Sequence, residues 1–303
     1  MTYRSPDVFF DELVAARILL PTGVDGIPGR SAQFEDIGER FYKAVLRAGA
    51  DDQAESMHFP PAINRKMFEK AGFLKSFPQL AASIFSFYGD EKQHRELVNR
   101  IDHGHAWADL QGMTDCCLIP SACYPVYPEV ARTGMPAQGR IVYLWAYCYR
   151  NEPSKDPARM QMFRQLERVC LGTQEKVLAW RETWMKRGME LLTSLSLPAT
   201  LQNAADPFFG RAGRMLAANQ REQGLKFEIV VPVTSEEKPT ACASFNYHQE
   251  HFSGMFGIKL PDGSRAQTAC LGFGLERCVL ALYSNHGLNP DDWPASVRKV
   301  LWQ

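Results

Sequence analysis

From Ser31 onward, apolar residues recur at helical spacing, with Phe34, Ile37, Phe41 and Val45 on one stripe, the signature of a helix that buries one face. Ser31 stands at the N-cap position and Gly49 marks the end. The segment 56–62 reads as extended, and Pro60 and Pro61 restrict it to a sheet edge or an interface strand. Further helices are predicted over 64–71, 78–85, 160–171, 173–189 and 275–286. Strands are predicted over 115–119, 139–149, 227–233 and 255–259, the second carrying the aromatic and β-branched run IVYLWAYCY. Strands joined by long irregular connections, with helices on one side, indicate an α+β fold built on a mainly antiparallel sheet. No repeat, low-complexity tract or Gly/Ser linker divides the chain, so 1–303 reads as a single domain with 1–30 as a short N-terminal extension.

Composition narrows the class. Hydrophobic residues make up 45% and charged residues 22% of the 303 positions, which excludes a disordered or fibrous chain. Lys+Arg and Asp+Glu are both 34, so the global charge signature of a protein that wraps nucleic acid or an anionic membrane is missing. No apolar run approaches the ~18 residues that a membrane span needs. The start, MTYRSPDVFFDE, has no basic segment followed by an apolar one, so a cytoplasmic protein is expected. Eight cysteines lie at 116, 117, 123, 148, 170, 242, 270 and 278 without a CxxC pair and read as reduced thiols, most buried and a few available to a metal.

Two segments carry candidate chemistry. In YCYRNEPSKDPARMQMFRQLERV (147–169) a strand ends in Arg150 and Glu152, which alternate onto one sheet face. Arg159 and Phe163 follow, four residues apart on the next element. An arginine fork, a carboxylate acceptor, a second arginine and an aromatic plate are the parts of a nucleotide site. They are equally the parts of a surface salt bridge beside a packed phenylalanine. Near the C-terminus, ACLGFGLERCVLAL (269–282) places Gly272 and Gly274 where backbone approaches closely, and Arg277 in the first turn of a helix. There is no GxxxxGK[ST] loop and no GxGxxG in a short βαβ unit.

Together the two segments resemble motifs two and three of the class II aminoacyl-tRNA synthetases, and the helix from Ser31 with Phe59-Pro60-Pro61 resembles motif one. FPPAINRKMFEKAGFLKSFP and CLIPSACYPV are similar to segments of the seryl-tRNA synthetase core. The resemblance implies that Arg150 binds the α-phosphate of ATP and the substrate carboxylate, that Glu152 accepts from the adenine amine, and that Phe163 stacks on the base. It implies Arg159 and Arg277 for the γ-phosphate, with Arg277 also over the base and Gly272 and Gly274 in the ATP site. Where the seryl core has Thr-x-Glu, this chain has Ser121-Ala122-Cys123; Glu167 matches the glutamate that reads the substrate amine, and Cys270 precedes motif three. Cys123, Glu167 and Cys270 are three ligands of the kind Zn2+ accepts, with a fourth position open. This resembles the zinc-dependent seryl enzymes of methanogens, in which the substrate amine binds the metal; the competing reading is two buried, inert cysteines. Ala122, Glu167 and Asn246 are the implied substrate contacts.

Only residues 1–30 precede motif one, and no heptad segment supplies a tRNA-binding arm. The resemblance is therefore to truncated seryl-tRNA synthetase homologues, the amino acid:carrier-protein ligases. It implies activation of a small amino acid, glycine or alanine favoured, with ATP and Mg2+, and transfer to the phosphopantetheine thiol of a carrier protein by a homodimer. Charging of tRNA through a separate RNA-binding partner, or a non-catalytic paralogue that regulates by binding, are the alternatives. Thr240 stands where the seryl core has its magnesium-binding acid, and Glu228, Glu236 and Glu237 are the nearby substitutes. His248 and His251 are candidates to assist transfer or are satisfied structural residues. Finally, 207–224 exceeds the seryl core and reads as an inserted helix, 210–223, closed by Gly224. At about 100° per residue, Arg211, Arg214 and Arg221 share roughly a quarter of its circumference, either a solvated basic face or a docking site for an acidic carrier-protein helix.

Overall fold

The run RIVYLWAYCY forms the expected strand, Arg140–Tyr149, in the computed structural model, which describes residues 3–303. In chain order the strands of its sheet are β1 (Glu55–Ser56), β2 (Arg140–Tyr149), β3 (Met162–Gly172), β4 (Thr200–Asn203), β5 (Lys226–Val231), β6 (Thr240–Gln249) and β7 (Gln267–Gly274). Their spatial order is β1-β2-β3-β7-β6-β5-β4, antiparallel except for the β1–β2 pair. The architecture is α+β, as expected. Four helices frame the argument: α1 (Ala32–Ala48), α2 (Gln174–Ser194), α3 (Gly210–Glu222) and α4 (Leu275–His286). Ser31 caps α1 by accepting from the Phe34 N–H, and Thr173 caps α2 by accepting from the Lys176 N–H.

The sheet separates two buried clusters. On one face α1, α2 and α4 bring Phe41, Trp184 and Leu280 against Leu166, Phe245 and Phe273. On the other, Val142, Leu144 and Val169 meet Phe68, Phe73 and Tyr127 beside a small sheet of strands Ala62–Asn64, Ser83–Phe87 and Gln111–Leu118. The apolar stripe of α1 is fully buried in this chain's own core, so it leaves no free apolar face of its own for a second copy. The 1–30 extension joins that core as well, through Phe9 and Leu13 of helix Pro6–Ala15. Among the described residues no helix is long and apolar enough to cross a membrane.

Four expectations differ from the structure. Most of 160–171 lies in strand β3 (Met162–Gly172), not a helix: β3 sits between β2 and β7, and its ladders on both sides outweigh the helix preference of Arg164, Gln165, Leu166 and Glu167. The segment 78–85 makes one 3-10 turn, Pro78–Leu80, and then a strand whose Phe85 pairs with Met113. The segment 255–259 is not a strand, because helix His251–Phe256 runs into it and ends at Gly257 with φ +73°. The Pro60-Pro61 step lies between two sheets: β1 edges the large one, and Ala62–Asn64 joins the small one.

Candidate active site

The extended course of β3 lines the pocket. Phe163, Gln165 and Glu167 alternate onto one face of β3 and border a cavity of about 470 Å³ with Arg150, Glu152, Gly272, Gly274 and Arg277, a size that suits a small-molecule substrate. Arg150 is held where β2 ends: its Nε donates to the Pro120 carbonyl at 3.0 Å and its Nη2 to Ser121 Oγ at 3.4 Å. Its guanidinium carbon stands 5.4 Å from the Phe163 ring centroid, so the arginine and the aromatic plate form one corner.

Arg277, in the first turn of α4, donates from Nε to the Ala158 carbonyl at 2.9 Å and from Nη1 to the Ala241 carbonyl at 3.1 Å. Burial and the like charge of Arg150 hold its pKa below the ordinary arginine range. The adjacent Glu276 accepts from the backbone N–H and Nε of Arg164, both at 2.7 Å, which locks the start of α4 to β3. Arg159 does not share a helix face with Phe163. It lies in the loop before β3, exposed and outside the cavity lining.

Deeper in the cavity, Cys123 Sγ, a Glu167 carboxylate oxygen and Cys270 Sγ all lie within 4.8 Å of one another, and all three residues are buried. Glu167 also accepts from the backbone N–H groups of Ala122 and Cys123, both at 3.0 Å, pinning the loop to β3. Ala122 is fully buried and contributes that N–H. Gly272 lies opposite Glu167 in the β3–β7 ladder, and a Cβ there would stand 3.2 Å from Glu167 Cγ, so the glycine makes room for the carboxylate. Burial, then the Cys270 sulfur, pushes the Glu167 pKa up to about 7. Hydrogen bonding to Cys123 and to His248 and Asn246 draws the Cys270 thiol down, while Cys270 and burial push the Cys123 thiol up. Two sulfurs and one carboxylate oxygen in a buried triangle are a donor set that suits zinc with one position left for another ligand.

Asn246 and His248 line the cavity and both approach Cys270 Sγ, at 3.4 and 3.5 Å; His251 lies beyond them on the same wall. Of the acids near Thr240, Glu228 lines the cavity, while Glu236 and Glu237 are exposed and outside it.

Two features escape sequence reading. Gln165 faces the pocket between Phe163 and Glu167, which a two-residue period would have revealed had 160–171 been read as a strand. The second is a buried clasp. Lys226 Nζ bridges Asp206 Oδ1 at 2.5 Å and Glu228 Oε1 at 3.1 Å, and the Gln220 side chain both donates to Asp206 Oδ2 and accepts from its backbone N–H. It ties helix α3 to the pocket wall, and no local motif announces it.

No protein-family model matches the chain. Two curated proteins of Bradyrhizobium diazoefficiens, amino acid–[acyl-carrier-protein] ligases 1 and 2, are each 42% identical to it. The alignments cover 95% and 92% of this chain and 88% and 84% of theirs. This chain belongs to the amino acid–[acyl-carrier-protein] ligase family. It is a ligase. The type-2 serine–tRNA ligase of Methanococcus aeolicus is 25% identical over 80% of this chain, which spans 49% of that protein. Among solved structures, M. kandleri SerRS in complex with A. aeolicus tRNASec superposes with a TM-score of 0.83 at 20% identity, covering 99% of this chain and 61% of that one. Pyrococcus horikoshii seryl-tRNA synthetase complexed with ATP gives 0.70 at 14% identity, covering 100% and 64%. Those likenesses show that the chain has the fold of a class II synthetase catalytic core.

Proposed function

We propose that this ligase activates a small amino acid, glycine or alanine, with ATP as the aminoacyl-adenylate and transfers it to the phosphopantetheine thiol of a carrier protein. The observation that carries the reading is the 42% identity to two amino acid–[acyl-carrier-protein] ligases, in a chain whose cavity gathers Arg150, Glu152, Phe163 and Arg277. In the first step a carboxylate oxygen bonds to the α-phosphorus as the bond to pyrophosphate breaks. The protein's part is alignment and charge neutralisation: Arg150 holds the carboxylate and α-phosphate, Arg277 the polyphosphate beside the base, Phe163 the adenine face and Glu152 its amine. We assign Arg159, exposed in the loop before β3, to the γ-phosphate on the family resemblance alone. In the second step the thiol sulfur bonds to the acyl carbon and adenylate leaves.

Cys123, Glu167 and Cys270 would hold zinc, which when bound offers its open position to the substrate amine and so selects free amino acids. Asn246 and Ala122 complete that end of the pocket. Of the three acids near Thr240, Glu228 alone lines the cavity, where it pairs with Lys226, and we assign magnesium to it. A closed triangle of buried ligands favours the smallest side chains.

The inserted helix supplies the partner surface. Leu216, Asn219 and Gln220 of α3 line the cavity, whereas Arg211, Arg214 and Arg221 are exposed on the opposite arc, with the exposed Met215 between the two. A basic arc with an exposed apolar residue complements an acidic amphipathic helix, and such complementarity speeds association and rejects wrong partners. Reversing Arg214 and Arg221 to Glu is expected to impair aminoacyl transfer to the carrier at least tenfold and leave amino-acid-dependent pyrophosphate exchange intact. Equal loss of both activities, or of neither, removes α3 as the docking site. We further propose a C2 homodimer closed at the β1 edge, where the two residues of β1 pair only with Val142 and Tyr143 of β2. Sedimentation at micromolar concentration should give twice the chain mass, and a compact monomer would contradict it.

A further inference from the structure

We propose that His248, oriented by Thr268, is a positioning residue that acts on the metal through Cys270, and that it and Asn246 make the two cysteine ligands chemically unequal. The inference rests on the zinc reading above. Asn246 Nδ2 donates to Cys270 Sγ at 3.4 Å, and His248 Nε2 lies 3.5 Å from the same sulfur. Among the described residues no N–H group reaches Cys123 Sγ; that residue's own backbone N–H is spent on Glu167. Both donors come from β6, where Asn246 lies directly opposite Cys270 in the β6–β7 ladder.

The imidazole has little freedom. Its Nδ1 lies 3.3 Å from Oγ1 of the fully buried Thr268. The rings of Tyr127 and Phe252 stand edge to face against it, with centroids 6.2 and 4.9 Å away. A threonine O–H that donates to Nδ1 leaves the proton of the neutral ring on Nε2, the nitrogen that faces the sulfur. This is the arrangement by which outer partners orient a metal ligand and tune its donation. A thiolate that accepts two N–H bonds gives less charge to the metal than one that faces only the Tyr127 hydroxyl, so Cys123 becomes the stronger donor and the metal stays electrophilic toward an incoming amine.

The test measures metal binding and spectra, without turnover. Zinc affinity is read by competition with a chromogenic chelator, and the sulfur-to-cobalt charge-transfer band is read in the full chain loaded with Co2+. His248→Phe keeps an aromatic ring but no donor and is expected to weaken zinc binding by about 10- to 100-fold and to move the band to longer wavelength. His248→Gln, which can still present an N–H, should stay within a few-fold of the unaltered protein. Thr268→Val leaves the histidine in place and should shift both readouts in the same direction as His248→Phe, to a smaller extent; it decides the matter if His248→Phe fails to fold. Unchanged affinity and band in His248→Phe, or in Thr268→Val, would overturn the proposal, as would equal losses in His248→Phe and His248→Gln, which would point to ring packing. If the unaltered protein binds neither zinc nor cobalt, the metal reading itself fails and takes this inference with it.

Discussion

Replacing Arg277 with alanine is expected to lower amino-acid-dependent ATP–pyrophosphate exchange by about 10²- to 10³-fold, the loss that follows removal of one preorganised donor from a developing charge. The side chain is fixed before substrate arrives, because Nε and Nη1 are spent on the carbonyls of Ala158 and Ala241. Its remaining N–H groups therefore need no reorganisation to meet phosphate. Lysine should not substitute, since a single ammonium cannot hold two carbonyls and a phosphate in the geometry of a planar fork. Arg150→Ala should fall by a similar factor, because the Pro120 carbonyl and the Phe163 ring fix that guanidinium in the same way. Melting temperature separates a lost contact from a lost fold. Near-normal exchange in a folded Arg150→Ala or Arg277→Ala protein would remove these residues from the nucleotide site.

The second large effect concerns the metal. The protein is expected to carry about one zinc per chain, and Cys123→Ser or Cys270→Ser should abolish stoichiometric zinc and reduce amino-acid activation by more than about 100-fold. Elemental analysis and exchange on the same preparations check both. The sign of the pH dependence follows from competition between protons and metal. Both thiols and Glu167 must be unprotonated to bind zinc, and burial and the neighbouring sulfur already push Glu167 up to about 7. Zinc retention should therefore weaken as pH falls through that value, and activation with it. Unchanged zinc content in both serine variants would place the metal elsewhere or nowhere.

What the sequence reveals and what it hides divide along local and non-local physics. Helix α1 with its Ser31 cap, strand β2, helix α4 and the inserted α3 were all legible, because each is written in a cap, a run or a period within one segment. That Arg150 and Arg277 share one pocket was legible for the same reason: they sit at fixed offsets from a strand end and a glycine turn. Strand β3 was not, because its helix-favouring residues are held extended by β2 and β7, which lie in distant parts of the chain. That misreading hid Gln165 and put Arg159 on the wrong element. The gathering of Cys123, Glu167 and Cys270 needed the family resemblance, since three residues from 123 to 270 have no common spacing. The Asp206–Lys226–Glu228 clasp and the hydrogen bonds from Asn246 and His248 to Cys270 depend on strand register and side-chain direction, which no pattern along the chain encodes.

The central claim is settled most directly by supplying the purified protein with ATP, Mg2+, Zn2+ and each amino acid in turn. Two acceptors are offered in parallel, a phosphopantetheinylated carrier protein and total tRNA, with pyrophosphate exchange and the intact mass of the carrier as readouts. The account predicts exchange that depends on glycine or alanine and is lost with a zinc chelator, and a carrier whose mass rises by that one aminoacyl group, with tRNA left uncharged. Charged tRNA with an unmodified carrier, or no exchange with any amino acid, would contradict it.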